Sequence, residues 1–375
     1  MNVLVIGGGM SGITFALAAK RHGHSVTLVE KNERLGKKLS ATGNGKCNVG
    51  NANVGPACFN RSMVAGKVLN CVSVQNYTDF LQSVGIFTYA DEVGRMYPLS
   101  DSANNVVDCF RAALAREGVK VILGKAAGKV QKVNGGYQTD FGVFNKVCLC
   151  VGSGSQAEKP VLDGFVESNW LTPVSPSLVP IKVKNSDKTL NGLRAKCGVK
   201  LVSNGKTLYS ETGEVQFKEY GLSGICIFNA SAVIARSVVC GNSQPCAITL
   251  DLVPKLDEQT LARIVQNRID DGWETSTLLC GILHNKIAAS VLKNAKNAAQ
   301  IAKNAKIMTF EVDRLLDWSM SQVTAGGIDE RFVGEDLSLP NGIIALGEVL
   351  NVDGFCGGNN LYFAAASALY ASKFL

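Results

Sequence analysis

The first thirty residues change hydrophobic period twice. NVLVIG is a short β-branched run ending at Gly7, GITFALAAKRHG carries apolar positions at helical spacing and closes at Gly23, and SVTLVE is a second apolar run. The order predicts a strand, a helix and a second strand. Farther on, NNVVDCFRAALAREG predicts an amphipathic helix stopped by Gly118. It leads into VKVILG, GKVQKV, an NGG turn, YQTDFG and NKVCLCVG, a strand followed by a small meander. PVSPSLVPIKVK, with three prolines, marks a crossing into a second region. From there to DLVP at 251–254 the pattern is strand-like, with SNGK as a hairpin turn. Residues 256 to about 318 read as helical, and VTAGG brings the chain back. Near the end, GIIALG is an apolar strand, followed by a loop and a helix of small residues.

Length and composition narrow the class. A chain of 375 residues holds two or three domains, and 46% hydrophobic with 18% charged residues is the composition of a soluble globular protein. No stretch reaches the roughly 18 uninterrupted apolar residues of a membrane helix. The apolar start lacks the basic segment of a signal peptide, so a cytoplasmic chain with no membrane partner is expected. Twelve cysteines are scattered in mostly apolar surroundings without a CxxC pair, and Cys148 and Cys150 read as sharing one buried strand face. Reduced thiols and no metal are expected. Lys and Arg exceed Asp and Glu by seven, and residues 284–306 hold five lysines and no acid. That run reads as a solvated helix face or, alternatively, as a surface for an anionic partner.

The glycine cluster between the first strand and helix carries chemistry. Gly7, Gly9 and Gly12 fit GxGxxG at a strand-to-helix turn. The first glycine permits the turn, the second lets backbone approach a pyrophosphate, and the third lets helix and strand pack closely. Met10 and Ser11 complete this turn at the helix N-terminus, where phosphates sit. Glu30 ends the second strand, where an acid accepts hydrogen bonds from ribose hydroxyls and disfavours a 2′-phosphate; Lys31 follows it.

The segment NGIIALGEVLNVDGFCGGNNLYFAAASALYAS, residues 341–372, supplies a second strand-to-helix junction. Gly347 and Glu348 end the strand, Asp353 lies in the loop, and Gly357, Gly358, Asn359 and Asn360 precede the helix. A helix N-terminus carries roughly half a positive charge, which suits the anionic edge of a reduced flavin. Two such junctions on one sheet favour FAD over NAD as resident cofactor.

Between them, LSATGNGKCNVGN at 39–51 places glycines and asparagines where neither helix nor central strand is favoured. With GGGMSG, LGKKLSATGNGKCNVGN, GRMYP, EVQFKEYGLSG, VTAGGID and LGEVLNVDGFCGGNN in order, the chain resembles the aminoacetone-oxidase or BaiN-like family of NAD(P)/FAD-dependent oxidoreductases over essentially its whole length. The resemblance implies an α/β fold: a Rossmann-type FAD-binding domain of the glutathione-reductase class (1–172 and 320–375), interrupted by a β-barrel-like substrate domain (173–255) that carries a small helical insert (256–319). The 39–51 loop is then a cofactor wrap. Gly43 and Gly45 allow close approach, Thr42 and Asn48 meet cofactor oxygens, and Lys37, Lys38 or Lys46 offset phosphate charge. Lys46 stands where family members commonly have arginine, and Cys47 and Cys356 read as packing or cofactor contacts. By the same resemblance Val130 offers backbone contacts to the adenine, and Gly152 opens the glycine-rich loop VGSGS. No second dinucleotide unit follows that loop, so NAD(P)H is expected only as a transient electron donor.

The three histidines give no acid or base: His22 and His24 flank Gly23, and His284 reads as solvated. Candidates for the reacting side are Tyr220, Thr324 and Asn359 or Asn360. The segment 306–320 and the loop after VGSGS look shorter than the family pattern, which suggests a truncated barrel or an altered substrate roof. The leading expectation is an FAD-dependent oxidoreductase moving hydride between a small organic substrate or NAD(P)H and the flavin. The alternatives are an FAD-dependent RNA-modifying enzyme, disfavoured by the lack of aromatics in the lysine run, and a non-catalytic flavin-bearing sensor. Either a monomer or a homodimer is compatible.

Overall fold

The structure, a computed structural model, describes residues 1–40, 42–60, 62–152, 162 and 164–375. The chain runs through β1 (Asn2–Ile6), α1 (Met10–Arg21), β2 (Ser25–Val29), the short α2 (Lys37–Ser40), β3 (Gly50–Asn51), α3 (Met63–Cys71), α4 (Val74–Ser83), β4 (Thr88–Ala90), β5 (Arg95–Pro98), α5 (Ala103–Arg116) and β6 (Lys120–Ile122). A meander, β7 (Gln131–Val133), β8 (Gly136–Thr139) and β9 (Gly142–Phe144), precedes β10 (Lys146–Leu149) and β11 (Ser175–Ser177). Then come β12 (Ile181–Val183), β13 (Arg194–Ser203), β14 (Lys206–Lys218), β15 (Gly221–Ser223), α6 (Ile225–Val239), β16 (Ala247–Asp251), α7 (Glu258–Asp270), α8 (Asn285–Leu292), α9 (Ala298–Lys306) and β17 (Met308–Leu315). The chain ends with β18 (Val323–Ala325), β19 (Ile344–Ala345) and α10 (Asn359–Ala371).

These elements form two compact units, Met1–Ser175 with Val323–Leu375, and Pro176–Gln322. The first is built on a sheet of order β19-β10-β1-β2-β6, parallel throughout. A parallel strand is covered on both faces, which is why Val3, Leu4, Val5 and Ile6 are apolar in succession and all buried. In α1, Gly12, Ala16 and Ala19 keep the helix slim enough to lie close to its neighbours, and Phe15 and Leu17 are fully buried, each contributing about 1.5–3 kcal/mol. The Ala-rich α10 packs against it, so the two ends of the sequence share one core.

The second unit is a closed barrel of order β12-β15-β14-β13-β16-β17. Cys197, Val199, Leu201 and Ser203 alternate inward along β13. The β13–β14 hairpin turns at Asn204 and Gly205, φ +48° and +75°, the two positive values that match strand twist. Helices α7, α8 and α9 form an excursion between β16 and β17, which pair with each other. Lys306 anchors its return: its Nζ reaches Asp251 Oδ2 at 2.6 Å and the Val253 and Leu256 carbonyls at 2.9 and 2.5 Å.

Two expectations from the pattern are corrected. The strand-like reading of 173–255 fails at Ile225–Val239, which is a helix burying Cys226, Ile227, Ala230, Ser231 and Ala235 along one face. The helical reading of 256–318 fails at Met308–Leu315, the strand that closes the barrel, so the barrel is not truncated there. The loop after VGSGS lies largely outside the described residues. All twelve cysteines are free, and Cys148 and Cys150 are both buried with their sulfurs 3.5 Å apart. No helix among the described residues is long and apolar enough to cross a membrane.

Candidate cofactor and active site

The nucleotide turn is held by contacts that admit no side chain. A Cβ on Gly7, at φ +109°, would stand 2.3 Å from the Cys150 carbonyl oxygen, and one on Gly12 would stand 1.9 Å from that of Gly7. Gly9 is different: a Cβ there would meet nothing within 4 Å, so its backbone faces open space. It is also the N-cap of α1 and offers no side-chain cap, leaving the first N–H groups of the helix to a ligand. Met10 and Ser11 are buried at that helix start. The Glu30 carboxylate accepts the Gly8 N–H at 2.7 Å and the Asn32 N–H at 2.8 Å, with a further bond from Asn32 Nδ2. Fixed this way beside the turn, it keeps lone pairs for ribose hydroxyls. Lys31 is exposed, Val130 lies half-buried just before β7, and Gly152 follows β10 at φ +70°.

The 39–51 segment winds tightly. Thr42–Gly45 is a 3-10 turn, and Gly43, Gly45 and the non-glycine Cys47 all have positive φ. Thr42 Oγ1 donates to the Leu39 carbonyl at 2.8 Å and sits 3.5 Å from the Cys47 sulfur. Burial pushes the Cys47 thiol up, and the Thr42 hydrogen bond only partly opposes it, so Cys47 is a neutral packing thiol. Lys46 is engaged at the surface by Asp101 at 3.1 Å, whereas Lys38 binds Glu348 Oε2 at 2.7 Å. Tyr77, which the sequence reading passed over, braces the loop by donating to the Val49 carbonyl, and its ring meets edge-on at 5.0 Å that of Tyr362, which donates to the Val72 carbonyl.

The C-terminal junction closes on the same loop. Glu348 accepts Lys38 on one oxygen and the Thr324 N–H, at 3.0 Å, on the other. A Cβ on Gly347 would stand 2.9 Å from Ser11 Oγ. Gly358 is the N-cap of α10 at φ +94°, where a Cβ would stand 2.1 Å from the Gly50 carbonyl oxygen and 2.6 Å from Asn48 Oδ1. Asn51 Nδ2 donates to the Gly357 carbonyl at 2.9 Å. Asn360 is engaged at both ends by the Gly354 backbone, at 2.8 Å each, and so braces the loop. Asp353 is buried, and its carbonyl accepts the Asn60 N–H.

Three buried side-chain oxygens on these segments have no hydrogen-bond partner among the described residues: Asn48 Oδ1, Thr324 Oγ1 and Asn359 Oδ1. Buried polar atoms are nearly always paired, so these three oxygens fit a polar ligand. The N-terminus of α10, like that of α1, carries no side-chain cap. Among the other long helices, α3, α4, α5, α7, α8 and α9 are capped by Ser62, Ser73, Ser102, Asp257, His284 and Asn297. Two open helix ends, a fixed acid at the end of β2 and three unpartnered buried oxygens suit a dinucleotide whose far ring has hydrogen-bonding edges, as FAD has.

Residues 1–374 match a family described as HI0933-like protein Rossmann domain. The chain belongs to this family. Among the similar curated proteins is the 3-dehydro-bile acid delta(4,6)-reductase of Clostridium scindens, 29% identical, with 98% of this chain and 97% of that protein covered. A second is the ribosomal RNA dihydrouridine synthase of Haemophilus influenzae, 23% identical over 97% of this chain and 96% of that one. Among solved structures, the 3-ketosteroid delta1-dehydrogenase of Sterolibacterium denitrificans shares the fold, with a TM-score of 0.52, 12% identity, and 99% and 98% of the two chains covered. The resemblance to BaiN-like flavoproteins therefore holds. This HI0933-like chain is an FAD-dependent oxidoreductase that transfers hydride through its flavin.

Thr324 and Asn359 belong to the same unit as the FAD cradle, and Tyr220 to the other. Tyr220 lies in the turn between β14 and β15, its carbonyl accepting the Val183 N–H at 3.1 Å. Burial raises its hydroxyl pKa and a hydrogen bond with Ser223 opposes this. Among the histidines, His284 is not simply solvated, since its ring caps α8 by accepting the Lys286 N–H.

Proposed function

We propose that this protein reduces a carbon–carbon double bond conjugated to a carbonyl in a small organic molecule, with NAD(P)H as transient electron donor. The observation that carries the reading is the set of unpartnered buried oxygens on Asn48, Thr324 and Asn359, with Asn48 beside the uncapped start of α10 and Asn359 its first residue. The bile-acid reductase and the dihydrouridine synthase, whose named products are saturated at such bonds, support it. We take Met1–Ser175 with Val323–Leu375 as the FAD-binding domain and Pro176–Gln322 as the substrate domain.

When bound, FAD would supply the hydride-transfer chemistry between NAD(P)H and the β-carbon of the substrate. Gly7, Gly9 and Gly12 with the α1 N-terminus hold the pyrophosphate, and Glu30 the ribose. The α10 N-terminus stabilises negative charge on the ring edge. Asn48, Thr324 and Asn359 would hold the cofactor by hydrogen bonds from or to their unpartnered oxygens. Tyr220, a phenol and so protonated at neutral pH, is the proposed donor of the proton that completes the α-carbon.

The test is the visible spectrum of the purified protein, titrated anaerobically with NADH and then NADPH, and mixed with enones. Flavin bands that bleach with either donor and return on adding an enone are expected. Bands that persist with both donors would instead indicate an oxidase reduced by its own substrate, and colourless protein would overturn the cofactor assignment. Tyr220→Phe should slow enone-driven reoxidation about 10²-fold; unchanged reductive and oxidative half-reactions would remove its role. The twelve free thiols support a reducing, cytoplasmic setting.

A second reading, action on RNA, is favoured by the dihydrouridine synthase relative and by exposed Lys286, Lys293, Lys296 and Lys303. A fall in RNA affinity along a steep log–log line in salt would support it, and no binding at low salt would remove it.

A further inference from the structure

Strand β5 edges the FAD cradle and carries an arginine to which sequence reading gave no role. Met96 and Pro98 point into the core, so Arg95 and Tyr97 share the opposite face. That face lies along both loops of the site. The Arg95 Cγ is 3.9 Å from where a Cβ would stand on Gly357, and the Tyr97 ring is 3.6 Å from the same point on Gly43. In register with Arg95, Asn51 ties β3 to the Gly357 carbonyl.

Arg95 is held by one carboxylate. Its Nε donates to Asp91 Oδ2 at 2.7 Å, and its backbone N–H donates to Asp91 Oδ1 at 2.9 Å. Burial would raise the Asp91 carboxyl, but these bonds and one from the Val93 N–H keep it below its ordinary value, so the anchor stays ionised. The two terminal nitrogens make no hydrogen bond or ion pair among the described residues, and the side chain is 34% exposed. A guanidinium fixed at Nε with its outer fork free is preorganised for a planar, two-oxygen anion. Tyr97 beside it, paired with Tyr89 at a ring separation of 5.9 Å, offers a flat apolar surface.

We infer that Arg95 is a specificity-determining residue whose free fork receives a carboxylate of the substrate, with the substrate's flat body along Tyr97. The inference rests on the enone-reductase reading and narrows it to acids that also carry the conjugated carbonyl.

The experiment compares a 3-oxo-Δ4 steroid side-chain acid with its methyl ester. Dissociation constants are read from the perturbed spectrum of the oxidised holoenzyme, and KM and kcat from reoxidation. Wild type should bind the acid at least about tenfold more tightly than the ester. Arg95→Gln should weaken the acid about 10- to 100-fold while changing the ester and kcat less than about threefold. Arg95→Lys, which keeps the charge and loses the fork, should fall between. If Arg95→Gln loses flavin, the Asp91→Asn, Arg95→Gln double variant removes the unpaired carboxylate and repeats the comparison. Equal affinity of wild type for acid and ester, or equal loss of both in the variants, would overturn the inference. Failure of both enones to reoxidise the flavin, with the binding preference intact, would sink the reductase reading alone.

Discussion

The two units treat their polar groups differently. The Rossmann unit leaves Asn48, Asn60, Thr324 and Asn359 oxygens buried without partners among the described residues, and starts α1 and α10 at uncapped glycines. In the barrel unit only Ser177 is comparable, and α7, α8 and α9 are all capped. The uncapped α6 is an instructive exception, because a Cβ on its N-cap Gly224 would stand 2.3 Å from the Glu214 carbonyl. There glycine answers to packing, whereas at Gly9 it faces open space. Unmet hydrogen bonds concentrated in one unit mark where a ligand completes the fold, and a satisfied unit stabilises itself.

The strongest way to break this contrast is at glycine. Gly358→Ala should abolish flavin binding and lower stability by about 3 kcal/mol or more, because positive φ and the Gly50 carbonyl both oppose a side chain. Gly205→Ala in the barrel hairpin, also at positive φ but with open space around it, should cost only about 1 kcal/mol and leave flavin content unchanged. Flavin absorbance and thermal unfolding distinguish them, and equal losses would dissolve the distinction.

Next in size is Lys306→Met. It removes the cation that joins Asp251 to two carbonyls, with the lysine side chain 14% exposed, and should destabilise the barrel unit by about 2–4 kcal/mol. Flavin affinity of the folded protein should be unaltered; a parallel loss would couple the units.

Alkaline pH gives a smaller effect. Burial raises Cys226 to about 11, with the Glu211 charge adding to it, and Cys197 to about 12, from an ordinary value of 9. A raised folded-state pKa leaves stability intact below pH 9 and removes it as pH climbs toward 11–12, the share of Cys226 alone being on the order of 1–3 kcal/mol. Urea unfolding across that range should show a shallower decline in Cys226→Ala.

The smallest expected effect is the most specific. Thr324→Val deletes an orphaned hydroxyl, so it should leave the flavin-free protein equal or about 1 kcal/mol more stable while weakening flavin binding about tenfold. Loss of stability in the flavin-free form would mean that the hydroxyl already has a partner.

The sequence exposed the cofactor half more fully than the barrel. GxGxxG with Glu30 specifies a local geometry, so strand, turn and helix were legible from spacing alone. Ile225–Val239 was not, because Ile, Cys, Phe and Val favour strands while Ala230, Ser231 and Ala235 seat it as a helix through contacts distant in sequence. Asn359 and Thr324 were legible as candidates by their place beside glycines. That Asn360 would bind Gly354, and Lys46 Asp101, depends on tertiary geometry. Arg95 stood in GRMYP, but its free fork is visible only once Asp91 is seen to hold the other end.

The barrel unit is inserted between β11 and β18, which pair as a two-stranded sheet, whereas the five-stranded sheet is completed by β19, and α1 packs on α10. Synthesis proceeds from the N-terminus, so the barrel, continuous in sequence, can fold while the Rossmann core still lacks its last strand and helix. Nascent β1, β2, β6 and β10 lack part of their apolar cover until β19 and α10 have been made. A cofactor site built from both ends of the first unit is thereby completed only after the barrel has been made.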